Sequence, residues 1–282
     1  MNGGIFSYVM LFFLFYMIFS IFTMQKKNAK NKKMLGILSK FDEKDEFFAE
    51  ADEYISTEKD PEYNTKLQVL RLWGYAYYEE DEKFREQAAA LNLNPIIYNG
   101  NKSNISVNED SFFYLFLAIP NRLYYRDRAD LRKVLADKMA EYDSAVGSMM
   151  LKAINEAAEK FYTKTDDFGK EFFLILVNGE YSGMTYSKQL IGLYKQSAEV
   201  FLAKLAQDEN DEEAFNGYLE DLKSFEQTRL GRRLISELGV VMPAAPAEEE
   251  PEEAEEPAEA ADEEAKEDEA PEEQASAGEE KE

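Results

Sequence analysis

The sequence predicts an all-α protein with a transmembrane helix at its N-terminus, antiparallel helix pairs in its body and a disordered acidic tail. Three observations carry that prediction. Residues 4–24 hold no charge and are almost wholly apolar, the length of one membrane-spanning helix. From about 34 to 241, apolar residues recur at three- and four-residue spacing between helix-start and helix-stop signals. Beyond Met242, no apolar side chain larger than Ala appears except Pro. The expected divisions are an anchor at 1–25, a basic juxtamembrane linker at 26–40, a helical body at 41–241 and a tail at 242–282.

The N-terminal run differs from a cleaved signal peptide. It has no basic residue before the apolar stretch, it is too long, and no small-residue cleavage site follows it. Lys26, Lys27, Lys30, Lys32 and Lys33 lie directly after it. A basic flank stays on the cytoplasmic side, so the expected topology is N-terminus out and body in the cytoplasm. The same five lysines are candidates for contact with an anionic lipid surface. The competing topology is an extracytoplasmic body tethered for envelope assembly.

Within the body, 45–55 carries Phe47, Phe48, Ala51, Tyr54 and Ile55 at helical spacing. Asp60-Pro61-Glu62 supplies an N-cap, a first-turn Pro and a first-turn acid, and predicts a helix to about 79. A second helix, 82–93, stops before Pro95. Residues 96–108 are rich in Asn and Ser and predict a loop. The apolar run 112–119 predicts a helix kinked or ended at Pro120. Helices are expected at 128–142 and 144–162. The run 172–177 has the composition of a buried strand, but its helical surroundings favour a helix. A long amphipathic helix is expected at 187–207. The last, 211–238, reads as one continuous helix: Phe215, Tyr218, Leu219, Leu222, Phe225, Leu230, Leu234 and Leu238 hold its apolar face, and Gly239 closes it.

The formal charge is −25. Residues 247–282 contribute 19 acidic and 2 basic side chains, a net −17, which leaves −8 for the rest. Such a tail cannot bury enough apolar surface to offset its ordering entropy. An acidic body is repelled by nucleic acid, so no nucleic-acid partner is expected. The chain has no His and no Cys. The commonest general base, the thiol nucleophile and the usual Zn and Cu ligands are therefore missing. No catalytic residue, cofactor or metal is assigned, and a carboxylate- or Lys-dependent enzyme is the weakest of the functional readings.

On the first predicted helix pair, Leu70 and Trp73 precede Gly74 and Tyr77, and Ala90 and Pro95 close the second helix. This stretch, 70–95, resembles a tetratricopeptide unit, a helix pair of about 34 residues. It departs from the pattern at Lys83 and Gln87. The resemblance implies an array of helix pairs with a groove that holds a protein or peptide partner. The groove residues it points to are Lys66, Arg71, Tyr75 and Tyr78, of which Tyr75 and Tyr78 also suit packing between helices.

A second candidate is the basic stretch of Arg122, Arg126, Arg128, Arg132 and Lys133, interleaved with Tyr124 and Tyr125. Arg122, Arg126 and Lys133 would share a face if 120–133 were one helix. Local acids such as Asp127, Asp130 and Asp137 can pair with these cations. Alternatively the patch, with Arg229, Arg232 and Arg233, receives an acidic segment, a partner's or the chain's own tail.

Overall fold

A computed structural model describes residues 25, 28–98, 112–147, 149–164, 169–179 and 188–243. The apolar run 4–24, Lys26 and Lys27, and the acidic segment from 244 onward lie outside the described residues. Among the described residues the secondary structure is helical throughout, with no strand. None of these helices is long and apolar enough to cross a membrane.

The first helix, α1 at 28–39, covers most of the stretch read as a basic linker. Ile37 and the following Phe41 are fully buried. Phe41 stacks on Trp73 at 4.1 Å and meets Phe47 edge-on at 4.8 Å. Apolar residues on one side of a lysine-rich segment thus draw it onto the body, each large side chain contributing about 1.5–3 kcal/mol.

Two helices follow, α2 (Lys44–Thr57) and α3 (Pro61–Tyr77), joined by the predicted Asp60 cap, whose carboxylate accepts from the Glu62 and Tyr63 amides. They pack closely at Gly74, where a Cβ would lie 2.3 Å from Phe47 Cε1. Next come α4 (Asp81–Ala90) and the short α5 (Asn94–Tyr98), the latter overlapping the predicted loop at 96–98.

Pro120 does not end its helix. A π-helical turn, Tyr114–Ala118, runs directly into α6 (Ile119–Tyr125), and the Ile119 amide reaches back five residues to Tyr114 O. Proline has no amide to donate and crowds the preceding carbonyl; the widened turn absorbs that mismatch without a break.

The chain continues through α7 (Ala129–Ala140), α8 (Asp143–Val146), α9 (Met150–Thr163) and α10 (Lys170–Val177). The 172–177 run is therefore helical. The long α11 (Lys188–Glu209) precedes α12 (Glu212–Glu226) and α13 (Arg229–Leu238).

The expected continuous helix over 211–238 is two helices. Thr228 breaks it: its hydroxyl donates to Phe225 O at 2.7 Å and accepts from the Gly231 amide at 2.9 Å. The turn is so tight that a Cβ on Gly231 would stand 2.1 Å from Phe225 O. The break sends α13 back across the body, where it packs on α6 and α11. Arg229 Nη2 then donates to Ser39 O at 3.3 Å, across 190 residues of sequence. In an open array each unit touches only its neighbours; here the last helix returns to the first.

Candidate functional site

A cleft of about 330 Å³ opens where α13 comes back to the α1–α2 turn. Asp42 lines it from the α1–α2 turn, Tyr77 from the end of α3, and Arg122 and Tyr125 from α6. The rest of the wall is α13: Arg229, Arg232, Arg233, Ser236 and Glu237. Four guanidiniums thus face two carboxyl groups in a protein whose overall charge is strongly negative.

Each wall has a local cause. α6 stops at Tyr125 because Asp127 adopts a left-handed conformation, φ 51°. The Arg128 amide then closes back on Leu123 O at 2.8 Å, the hydrogen bond of a Schellman ending. This leaves Arg122 on the last turn of α6, aimed across the cleft. Arg229, Arg232 and Arg233 stand in the first turns of α13, not near the C-terminus of a longer helix. Cations there oppose the helix dipole, so neighbouring groups must hold them.

Aromatic faces and two acids do so. The Arg233 guanidinium lies 3.9 Å from the Tyr77 ring centre and 4.7 Å from that of Phe41. Arg122 lies 4.7 Å from Tyr77 and 5.3 Å from Tyr125. Such contacts contribute about 0.5–2 kcal/mol each. Asp42 bridges Arg229, at 3.1 Å, and Arg233. Arg122 Nη2 donates to Tyr77 O at 3.0 Å, and its Nη1 lies 3.5 Å from Glu237 Oε1.

Not every donor is used. The Nε atoms of Arg122 and Arg233 are buried and donate to no acceptor among the described residues. Arg232 is exposed; its Nε donates to Glu226 O at 3.4 Å, and it makes no ion pair among the described residues. Burial pushes the Glu237 carboxyl up to about 7, against the pull of Arg122 and Arg233. Tyr125, at the rim, is 58 % exposed.

The structure therefore joins Arg122 to Arg229, Arg232 and Arg233, as the acidic-segment hypothesis requires, but leaves its other members elsewhere. Arg126 donates to Ala76 O at 3.0 Å and to Asp81 Oδ1 at 2.9 Å, tying α6 to the α3–α4 turn. Lys133 pairs with Asp137 at 2.8 Å on the exposed side of α7. The shared face expected for Arg122, Arg126 and Lys133 does not form, because the Asp127 turn interrupts the helix.

The candidates from the tetratricopeptide resemblance are also engaged internally. Arg71 bonds Asp52 and Gln87. Tyr75 is buried and stacks on Phe48 at 4.9 Å, and the Tyr78 hydroxyl donates to Phe41 O. Of the lipid-facing candidates, Lys30 pairs with Asp60 and Glu58, and the Tyr63 hydroxyl donates to Lys30 O. Lys33 Nζ lies 5.1 Å from the centre of the Tyr54 ring. Lys30 is thus engaged by the body, whereas Lys32 and Lys33 are exposed, and Lys26 and Lys27 lie outside the described residues.

Sequence reasoning missed Asp42, Tyr77 and Glu237 as cleft residues. Glu237 had one signal: it stands four residues after Arg233 on a helix whose other acid is absent. It missed a second feature too. Glu199, buried on α11, lies beside Lys195 at 3.5 Å. Lys195 also pairs with Asp221 of α12 at 3.0 Å. Burial, reinforced by Asp221, pushes the Glu199 carboxyl up to about 7.

No known protein family, curated protein or solved structure matches this chain.

Proposed function

We propose that this protein is a membrane-anchored adaptor whose helical body holds an acidic segment of a partner protein in the arginine cleft. The carrying observation is the convergence of Arg122 with Arg229, Arg232 and Arg233, with Arg232 unmatched by any carboxylate among the described residues. Guanidinium forks suit carboxylates, and the aromatic walls, Tyr77 and at the rim Tyr125, suit the stems of the side chains that carry them. The likeness of 70–95 to a tetratricopeptide unit supports a protein-binding role. The uncharged run 4–24 with its lysine flank supports a membrane tether and a cytoplasmic body.

The test is affinity capture of the full-length protein from its native membrane in mild detergent, with mass spectrometry of what co-purifies. A stoichiometric partner with an acidic segment, retained by K133A and lost from the double variant R122A/R232A, is the expected result. A partner retained equally by all three proteins would refute the cleft as its site.

A further inference from the structure

The chain contains no histidine, so no side chain with an ordinary pKa changes charge between pH 6 and 8. Two carboxyls among the described residues are moved into that range, Glu199 and Glu237. Only Glu237 lines the arginine cleft.

Its position is that of an occupant. The side chain is 11 % exposed, and one oxygen lies 3.5 Å from Arg122 Nη1. The charged and titratable groups facing it are Arg122 from α6, Arg233 one turn earlier on α13, and the Tyr162 phenol from α9. The phenol donates its proton to Asn121 Oδ1 at 2.8 Å and not to Glu237. From α11, the neutral Gln207 amide reaches only the end of the helix, donating to Gly239 O at 3.0 Å. Across the cleft, Asp42 is already shared by Arg229 and Arg233. Thus the ionised Glu237 is the built-in counter-ion of Arg122, and its neutral form leaves Arg122 Nη1 free for another carboxylate.

We propose that Glu237 is a proton-linked gate of the cleft: an acidic ligand binds as Glu237 takes up a proton from solvent and releases Arg122. This rests on the cleft being a site for acidic segments. With Glu237 ionised, the four guanidiniums face two carboxylates of the cleft lining; with it neutral, Asp42 alone is left in the lining, and Arg122 keeps only Glu79, 3.6 Å from its Nη2. An incoming carboxylate therefore meets less repulsion and one more open donor. The linkage has a definite sign. A group that must be protonated for binding weakens binding as pH rises through its pKa. For a carboxyl titrating near 7, affinity falls about tenfold from pH 6 to pH 8. The ligand's own carboxylates titrate near 4.3 and stay ionised throughout.

The experiment is isothermal titration of the full-length protein in detergent with a terminally blocked hexaglutamate peptide, at low salt and pH 6, 7 and 8. The wild type should bind about tenfold more tightly at pH 6 than at pH 8. Repeating the pH 7 titration in buffers of different ionisation enthalpy should show net proton uptake. E237Q should bind tightly with no dependence on pH, and E199Q should keep the wild-type dependence. If E237Q loses its helical circular dichroism, the wild-type proton uptake decides the matter alone. Equal wild-type affinity at pH 6 and pH 8, or an unchanged dependence in folded E237Q, overturns the gate and leaves the cleft intact. No binding by wild type or E237Q at any of the three pH values overturns the cleft reading and the gate together.

Discussion

Arg122 and Glu237 are 115 residues apart in the chain and meet with Nη1 3.5 Å from Oε1. The contact joins α6 to α13, and with it the middle of the chain to the end. Both side chains are close to nine-tenths buried, where neither charge is comfortable alone. Their energies should be coupled. At pH 8, R122M is expected to cost about 1–3 kcal/mol, from the lost bond to Tyr77 O and the stranded carboxylate. The cost should be smaller in an E237Q background, which leaves no charge to strand. A double-mutant cycle by urea unfolding measures the difference; strict additivity would show that the two do not interact.

Gly231 should tolerate no side chain. A Cβ there would meet Phe225 O at 2.1 Å, so G231A must open the turn between α12 and α13. The expected loss is about 1–3 kcal/mol, and T228A should cost about 1 kcal/mol as a lost N-cap. Thermal unfolding gives both values. G231A should also weaken binding of an acidic peptide, because the same turn sets Arg232 and Arg233.

Stability should decline from pH 5 to pH 8. Glu199 and Glu237 have folded pKa values raised to about 7, so above the unfolded value the folded state holds more protons. For a raised carboxyl, the favourable contribution is complete below about pH 4.5 and is lost as pH rises through 7. At about 1.4 kcal/mol per unit, each accounts for at most about 3 kcal/mol. Urea unfolding at pH 5, 6, 7 and 8 should show E199Q and E237Q each flattening the decline. Asp60, held low by Lys30, and Asp221, held low by Lys195, act with the opposite sign and only in more acidic solution.

Asp127 is a residue whose replacement should stabilise the fold. It holds φ 51°, a conformation that costs a residue with a Cβ about 1–2 kcal/mol relative to glycine. D127G is expected to gain about 0.5–1 kcal/mol after its larger unfolded-state entropy is counted. A lower melting temperature for D127G would mean that the Asp127 side chain does more for the turn than occupy it.

Helix endings show where sequence and structure part. Four left-handed residues, Glu79, Asp127, Asn210 and Gly239, each precede an amide that reaches back five residues. Gly239 was legible, because glycine at a helix end is what that geometry favours. Glu79 was not, since Glu is no usual choice for positive φ, and Asp127 was missed although Asp tolerates that conformation. Both side chains are exposed. At Glu79 the carboxylate also lies 3.6 Å from Arg122 and 3.5 Å from Arg126. The break at Thr228 was hidden for another reason: the apolar spacing continues across it, and periodicity does not register a change of direction.

Periodicity and capping chemistry by themselves determined that this body is helical, that Asp60-Pro61 starts a helix and Gly239 ends one, and that the arginines at 122 and 229–233 are candidates for one site. These are local properties, set by side chains within a few turns of each other. The tertiary structure alone decided which cations share the cleft, why Arg126 and Lys133 do not, and that a glutamate stands among them. Those outcomes depend on the Asp127 and Thr228 turns and on the return of α13 to Phe41 and Tyr77. Contacts across 115 and 190 residues leave no periodic trace in the chain, because neither partner's identity constrains the other's position.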